Sequence, residues 1–416
     1  MCLTVRVRSL PRRWLIVLAL FVVTYGISTP LAAYGVFLPV LAEAFGWSRG
    51  ALSTALSVNL LLGGVAGFAV GTLADRHGPR VMLVITVALA GAGFALVGVV
   101  GALWQLFLFV GVLGGIGMSS FYLLAAATVS HWFEERRALA IALVLVGFNL
   151  GYISAGPLAA WLIAHIGWRA AYALLGAGCG VLTLLAALTV RLPRPGEAPP
   201  RRASAGAPAR DVTLREALAD PRQWYLNASW FLTGGLALMI SVHIVPFARD
   251  QGIGLAAASL SLTAYGLGSA TGRVGSGVIS EHLGVPVTIR IGFVLQTAAL
   301  LGVWWAPSQN ALLAAMVLFG AGFAAADTMF TKVIPDVFGM RALGAIMGVL
   351  ALGWRTGAAL GPAAAGFLYD MTGSYALPFG AAPAAVLVSW GFFALGTAHM
   401  NRKGRGRGNP PRDPLQ

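Results

Sequence analysis

The sequence predicts an all-α membrane protein whose twelve transmembrane helices form two pseudo-symmetric six-helix bundles. Three observations carry this prediction: the composition, the number of long apolar runs and an internal repeat. Of the 416 residues, 58% are hydrophobic and 10% are charged, and the mean hydropathy is +0.81. Because so few polar side chains cannot cover a soluble globule of this size, the chain is expected to lie in a bilayer.

The apolar runs are long enough for helices that cross the hydrocarbon core, which takes about 20 residues. Each run is bounded by a short polar or glycine-containing connection, so the runs can be counted separately. The predicted spans cover residues 14–41, 52–73, 81–101, 103–130, 138–163, 170–190, 223–248, 255–279, 287–306, 310–334, 342–368 and 375–399.

The two halves of the chain repeat one pattern. Arg137-Ala138-Leu139 is followed by Gly156-Pro157, and Arg341-Ala342-Leu343 is followed by Gly361-Pro362. The same offset of 204 to 206 residues carries Gly71 onto Gly277. Six spans per copy leave both copies in the same orientation, as in transporters whose halves are related by an axis along the membrane normal.

This repeat sets the predicted domain boundaries. Residues 1–190 and 223–399 are the two bundles, and 191–222 is a cytoplasmic linker rich in Pro, Arg, Ala and Gly. Within the linker, Thr213 and Glu216 have the spacing of a capping box, which predicts a short helix at the membrane surface. The tail 400–416 contains few apolar residues and is expected to be disordered.

The net charge of +14 is distributed by topology. With the N-terminus in the cytoplasm, nearly all basic residues fall on the cytoplasmic side, and only Arg49, Arg169 and Arg249 fall on the other. This asymmetry follows the positive-inside rule. We therefore expect the chain to span a bacterial inner membrane with both termini on the cytoplasmic side. The lipid bilayer, and no nucleic acid, is therefore the expected partner of the basic residues.

Arg290 and Lys332 lie near the cytoplasmic ends of their spans, and three other charged residues lie deeper within predicted spans. Arg273 falls in the eighth span, Arg355 in the eleventh, and Asp327 in the tenth is the one carboxylate clearly inside a span. An arginine at the bilayer centre costs about 2.5–3.5 kcal/mol on insertion scales, so it should face a cavity or a partner. Two cations and one acid would favour a small anion, most simply a carboxylate held by a guanidinium fork.

The remaining candidate residues are neutral or titratable. Tyr34, Tyr122 and Asn149 are polar side chains in spans of the first half and are candidates for substrate binding. Asp327 and His243 are candidates for proton coupling, although an interfacial hydrogen-bonded histidine would explain His243 equally well. The six histidines sit singly on different elements, so the sequence predicts no metal site, no cofactor and no enzymatic activity.

One connector holds a motif with fixed spacing. Gly71, Asp75, Arg76, Gly78 and Arg80 follow the pattern G-x-x-x-D-R-x-G-x-R between the second and third spans. This pattern resembles the corresponding loop of major facilitator superfamily transporters, in which these residues latch the two halves on one side. The second copy keeps the spacing with different side chains, namely Gly277, Glu281, His282 and Gly284.

A narrower resemblance covers nearly the whole chain. His243-Ile244-Val245-Pro246, Asp250-Gln251-Gly252-Ile253 and Gly272-Arg273 are similar to the seventh and eighth helices of bacterial monocarboxylate transporter-like proteins and oxalate/formate antiporters. In those families the arginine matching Arg273 contacts the substrate carboxylate, and a second cation lies near the position of Arg355. The resemblance therefore implies a transporter of monocarboxylates or short dicarboxylates that works by alternating access.

The coupling mode stays open at this level. Animal relatives carry an acid four positions before that arginine and a lysine in the first helix, whereas this chain has Ser269 and no lysine in span one. Proton symport through Asp327 or His243 and anion exchange are both compatible with the sequence. Efflux of drugs or metabolites is the alternative function, a transporter-derived sensor is a more distant one, and the unit of function is expected to be a monomer.

Overall fold

The computed structural model describes residues 12–119, 121–133, 136–193, 197, 212–305, 308–339 and 342–405, and the regular structure in these ranges is helical. The side chains of Asp75, Tyr122 and some other helical residues lie outside this description. The helices of the first half are α1 Arg12–Phe45, α2 Arg49–His77, α3 Pro79–Leu96, α4 Leu103–Leu106, α5 Gly115–Gly117, α6 Phe121–Trp132 and α7 Arg137–Thr189. Those that follow are α8 Leu214–Ala219, α9 Pro221–Asp250, α10 Leu255–Leu283, α11 Val285–Trp304, α12 Gln309–Phe338, α13 Leu343–Thr372 and α14 Ala376–Arg405.

Nine helices within the described ranges are long and apolar enough to cross a membrane. One of them, α7, is two spans in sequence, because Gly167 with φ 74° and ψ 159° interrupts its helical backbone. The more polar α10 and the segmented stretch from α4 to α6 lie where the eighth and fourth spans were predicted. The twelve-helix membrane fold predicted from the sequence is confirmed.

The fourth span differs from the continuous helix that was expected. A π-helix, Phe107–Gly114, follows α4, and the helical backbone is interrupted again between α5 and α6. Asn59 on α2 explains the irregularity, since its Nδ2 donates to the carbonyl of Val110 at 2.7 Å. Glycine permits this approach, because a Cβ on Gly115 would lie 2.7 Å from the carbonyl oxygen of Asn59.

The repeat is visible in the backbone conformation. Among the described residues seven glycines have positive φ, and six of them form three pairs separated by 206 residues: Gly46 and Gly252, Gly78 and Gly284, and Gly167 and Gly373. Each pair marks a sharp connection between consecutive helices, where a side chain would be strained. The same turns therefore recur at the same places in both halves.

Helix packing repeats with the same offset. Gly353 and Gly357 on α13 face Asn227 and Phe231 on α9, and a Cβ on either glycine would overlap those residues. In the first half, the equivalent Gly147 and Gly151 on α7 face α1 in the same way. Small residues one turn apart let two helices approach closely in lipid, which accounts for these glycines by packing alone.

The chain separates into two compact units whose boundaries depart from the predicted domains. Unit 1 comprises Met1–Trp47, Ala55–Ser204 and Gly254–Thr263, and unit 2 comprises Ser48–Thr54, Ala205–Ile253 and Ala264–Gln416. The first turns of α2 and α10 thus group with the other half of the sequence. The predicted boundaries treated each helix as indivisible, and periodicity cannot reveal such an exchange.

The two segments outside the bundles also take shape in part. Thr213 and Glu216 form the capping box at the start of α8, and most of the predicted linker 191–222 lies outside the described residues. The helix α14 extends to Arg405, into the tail that was expected to be disordered from residue 400. Extending a helix that is already formed adds one hydrogen bond for each residue fixed, so it needs no apolar contact of its own.

We predict that replacing Gly357 with leucine will destabilise the protein. The added side chain meets the backbone of Phe231, which cannot move aside. The free energy of unfolding should therefore fall by about 1–3 kcal/mol, the cost typical of overpacking. Gly348→Leu on the same helix is the control, because a Cβ there meets no atom within 4 Å. Thermal unfolding in detergent should show a lower midpoint for Gly357→Leu only, and equal midpoints would contradict the packing role.

Candidate functional site

Two of the charged residues within the helices, Arg273 on α10 and Asp327 on α12, form an ion pair. The Nη1 atom of Arg273 lies 3.1 Å from Oδ2 of Asp327, and the two side chains are 32% and 22% exposed. Glycine brings the helices together, because a Cβ on Gly272 would overlap Ala321 on α12. Because the two helices approach closely at Gly272 and Ala321, the side chains of Arg273 and Asp327 can reach each other.

This pair changes one expectation from the sequence. Arg273 was expected as a cation free to bind substrate, and Asp327 as a separate candidate for proton coupling. The two side chains instead neutralise each other, so at this point of the site the formal charges sum to zero. Sequence reasoning missed the pairing because helices that are apolar nearly all round give no indication of which faces meet.

The second arginine, Arg355, is in a different situation. It lies between Gly353 and Gly357, which face α9, and a rotation of 100° per residue puts it on the opposite face of α13. Its side chain is partly buried. Within the described part of the chain it has no ion pair or hydrogen bond, either to Arg273 and Asp327 or to any other group.

The two halves differ in the residues that occupy the positions of Arg273 and Arg355. With the offset of 206 residues, Arg355 corresponds to Asn149 and Arg273 to Gly67. The matching residues Asn149 on α7 and Arg355 on α13 are therefore both polar. The ion pair of Arg273 and Asp327 belongs to the second half of the chain. The scaffold is repeated, whereas the cations are not.

The other candidates for substrate binding lie in unit 1. Tyr34 on α1 is fully buried and Asn149 on α7 is 8% exposed. The side chain of Tyr122 lies outside the described residues. Their roles in binding stay predictions.

The proton-coupling candidate His243 is fully buried and enclosed by hydrogen bonds. Its Nε2 lies 2.8 Å from the carbonyl oxygen of Pro362 and 3.2 Å from Oγ of Ser53, and its Nδ1 lies 2.8 Å from the hydroxyl of Tyr375. A carbonyl can only accept, so Nε2 carries a proton, and in the neutral ring Nδ1 accepts from the Tyr375 hydroxyl. This geometry fits a neutral structural histidine.

The loop motif shapes two helix junctions. In the first copy α2 ends at His77, Gly78 adopts φ 85°, and α3 begins with Pro79, while Arg76 and Arg80 are exposed. In the second copy Gly284 adopts φ 79° before α11, and Glu281 and His282 are exposed. A Cβ on Gly71 or Gly277 would meet nothing within 4 Å, so neither glycine is required by packing.

One ion pair near the helix ends was not anticipated from the sequence. The guanidinium of Arg49 forms two bonds of 2.8 Å with the carboxylate of Asp250. From the sequence, Arg49 served only as a marker of topology. The residues that could have indicated the contact are far apart along the chain, and no local pattern joins them.

Comparison with known proteins places this arrangement in a family. Residues 16–260 and 237–415 match the family described as the Major Facilitator Superfamily. Together these two ranges account for nearly the whole chain. The chain belongs to the major facilitator superfamily. Within that superfamily it is a transporter, in agreement with the resemblance drawn from the loop motif.

Named relatives of this superfamily member include carriers of carboxylates. Human monocarboxylate transporter 11 is 30% identical over 385 residues, which cover 88% of this chain and 79% of the human protein. The oxalate:formate antiporter of Oxalobacter formigenes is 24% identical over 332 residues, which cover 79% of this chain and 78% of that protein.

A solved structure shares the major facilitator fold. A bacterial homolog of the human lysosomal transporter Spinster, in an inward-facing and unoccupied conformation, superposes with a TM-score of 0.76 at 18% identity. The match covers 97% of this chain and all of the other.

We predict that the Arg273 and Asp327 side chains are coupled in stability. Removing one partner leaves an uncompensated charge, which costs about 3–5 kcal/mol when the pair is fully buried and less for side chains as exposed as these. Arg273→Ala and Asp327→Ala should each lower the unfolding midpoint more than the double variant does. Lys332→Ala, an exposed cation on α12, is the control; additive losses would show that the pair contributes no coupling.

Proposed function

We propose that this transporter moves small monocarboxylate anions by alternating access, with Arg355 as the group that binds the substrate carboxylate. The observation that carries the proposal is the absence of a counter-charge for Arg355 among the described residues. A guanidinium in an apolar helix is costly, and a bound carboxylate would supply the missing anion through two parallel hydrogen bonds.

The charge of the three residues favours a monoanion over a dianion. Arg273, Arg355 and Asp327 together carry a formal charge of +1, which one carboxylate neutralises. The printed names of the human and Oxalobacter relatives support carboxylates as the substrate class. No comparable observation favours efflux of large apolar compounds or a sensor.

Asp327 offers a way to couple this substrate to protons. Because it neutralises Arg273 at 3.1 Å, protonation of Asp327 would leave a second cation without a partner. The proton adds one positive charge and one bound monocarboxylate removes it, so the loaded site carries the same formal charge as the empty site, which is the requirement for electroneutral symport. We therefore assign proton coupling to Asp327 and a structural role to His243.

The membrane placement forms part of the proposal. We propose a bacterial inner membrane with both termini in the cytoplasm, supported by the one-sided distribution of basic residues. On this topology Arg49 and Asp250 lie on the outer side.

We predict that Arg355→Ala will abolish saturable uptake of labelled monocarboxylates into proteoliposomes. Arg355→Lys keeps the charge without the planar fork, so it should retain part of the activity with a raised KM. Arg290→Ala removes an exposed cation from α11 and should transport like the wild type. Normal uptake by Arg355→Ala would exclude this arginine as the carboxylate anchor.

We predict that Asp327→Asn will separate exchange from proton-driven uptake. The amide imitates the protonated acid permanently, so counterflow of labelled against unlabelled monocarboxylate should persist, whereas a pH gradient should no longer drive accumulation. Uptake measured at two external pH values with equal internal pH distinguishes the two modes. If the variant still accumulates substrate along the pH gradient, the proton is carried elsewhere.

A further inference from the structure

Two arginines from opposite ends of the first half of the chain meet on one carboxylate. Arg12 is the first residue of α1, and Arg191 follows shortly after the end of α7. The Arg191 guanidinium binds both oxygens of Glu197, with Nη1 2.7 Å from Oε2 and Nη2 2.9 Å from Oε1. The Nη1 atom of Arg12 lies 3.4 Å from the same Oε1. We call these three residues the α1–α7 corner, and all three belong to unit 1.

The Trp132 side chain holds Arg191 in place. Its indole N–H donates to the carbonyl oxygen of Arg191 at 2.8 Å, and the Arg191 guanidinium lies 5.3 Å from the centre of the Trp132 ring. Trp132 is itself buried at the end of α6, so it provides a fixed surface. A guanidinium that is already oriented in this way loses little conformational freedom when it binds an anion.

Aromatic packing fixes the start of α1 beside the residue that follows α6. The rings of Trp14 and Phe133 meet edge to face with their centres 5.1 Å apart. The guanidinium of Arg13 lies 5.7 Å from the centre of the Phe133 ring. Tryptophan and basic side chains are typical of the level where helices leave the hydrocarbon core, so the corner has the composition of a membrane surface.

The corner carries more positive than negative charge. Arg12, Arg13 and Arg191 together with Glu197 have a formal charge of +2. The α6–α7 connection leaves this sum unchanged, because it adds two acids and two bases, namely Glu134, Glu135, Arg136 and Arg137. The Arg12 side chain is 71% exposed, whereas those of Arg191 and Glu197 are each 28% exposed. An anion at the membrane surface can therefore reach Arg12 directly.

Exposed leucines continue from the two arginines along both helices. Four of them lie three and six residues from Arg12 on α1 or from Arg191 on α7, namely Leu15, Leu18, Leu185 and Leu188. Their side chains are between 43% and 60% exposed. Three residues of helix rise about 4.5 Å, so an apolar surface begins directly beside the guanidinium groups. A phospholipid has the same order of groups, with a phosphate next to its acyl chains.

The matching place in the second half has balanced charges. With the offset of 206 residues Trp132 corresponds to Phe338, and the guanidinium of Arg222 lies 5.8 Å from the centre of the Phe338 ring. The carboxylate of Asp220, two residues away, accepts from Nε of Arg222 at 2.9 and 3.0 Å. One acid and one base form a local pair there, whereas two arginines share one acid at the α1–α7 corner.

We propose that the α1–α7 corner binds the phosphate of an anionic phospholipid, which displaces Glu197 from Arg12 and Arg191. A carboxylate and a phosphodiester each present two oxygens to a guanidinium fork, so the geometry that holds Glu197 also suits the phosphate. The Glu197 carboxylate regains water when it leaves, and the acyl chains of the lipid cover the exposed leucines. The proposal requires only that unit 1 lie in a bilayer, and it is independent of the transported substrate.

Native mass spectrometry of the purified full-length protein tests the proposal by measuring bound lipid. The probe is dioleoyl phosphatidylglycerol, and the reference is dioleoyl phosphatidylcholine, which has the same acyl chains and no net charge. We expect the wild type to bind phosphatidylglycerol more tightly. Arg12→Ala and Arg191→Ala should each weaken this binding about fivefold, which corresponds to about 1 kcal/mol for each basic residue near an anionic surface. Unchanged binding by both variants would overturn the proposal.

Glu197→Gln should have the opposite effect. The amide keeps the size of the side chain and removes the charge that competes with the phosphate, so binding of phosphatidylglycerol should become about fivefold tighter. A misfolded protein would not bind this lipid more tightly, so the variant decides the question even if Arg191→Ala does not fold. If Glu197 is only a structural partner of the two arginines, its replacement will leave lipid binding unchanged or weaken it, and the proposal fails.

Two controls separate a lipid site from other sources of binding. Arg290→Ala removes an exposed arginine from α11 and should leave lipid binding unchanged. A loss as large as that of Arg12→Ala would show a general attraction of basic residues for the lipid, and would contradict a site at the corner. Inorganic phosphate lacks acyl chains, so millimolar concentrations should not displace phosphatidylglycerol. Displacement would identify a soluble phosphate as the ligand and overturn the lipid proposal.

Discussion

The structure depends on how a membrane protein accommodates guanidinium groups inside apolar helices. Three solutions are present in one chain. Arg273 is neutralised by a carboxylate on the neighbouring helix, Arg49 by a carboxylate at the end of another helix, and Arg355 by no group within the described residues. Since an uncompensated charge in this environment is costly, we propose that a transported carboxylate supplies the anion for Arg355.

The scaffold that presents these charges is symmetric, and the charges are not. Positive-φ glycines and the glycines between packed helices recur at a spacing of 206 residues, so turns and helix contacts are the same in both halves. Arg273 and Arg355 have no charged counterpart in the first half, where Gly67 and Asn149 stand at the matching positions. The framework is therefore repeated, while the two arginines within the spans belong to the second half alone.

The sequence predicted much of the framework and little of the contacts. The twelve spans, the repeat and the superfamily followed from apolar run length and fixed motif spacing, which are local properties. The pairing of Arg273 with Asp327, and the contacts of Arg49 with residues 201 and 321 positions away, depend on which helix faces meet. Uniformly apolar helices contain no periodicity that would indicate this. The irregular fourth span was missed for a related reason, because the cause lies in Asn59 on another helix.

The central claim is that Arg355 recognises a carboxylate by its charge. The most direct measurement is equilibrium binding of a short radiolabelled monocarboxylate to the purified protein, compared with the primary amide of the same acid, which has nearly the same shape and no charge. The account predicts saturable binding of the acid and none of the amide at matched concentrations. Equal binding of both compounds would contradict it, because shape and not charge would then determine recognition.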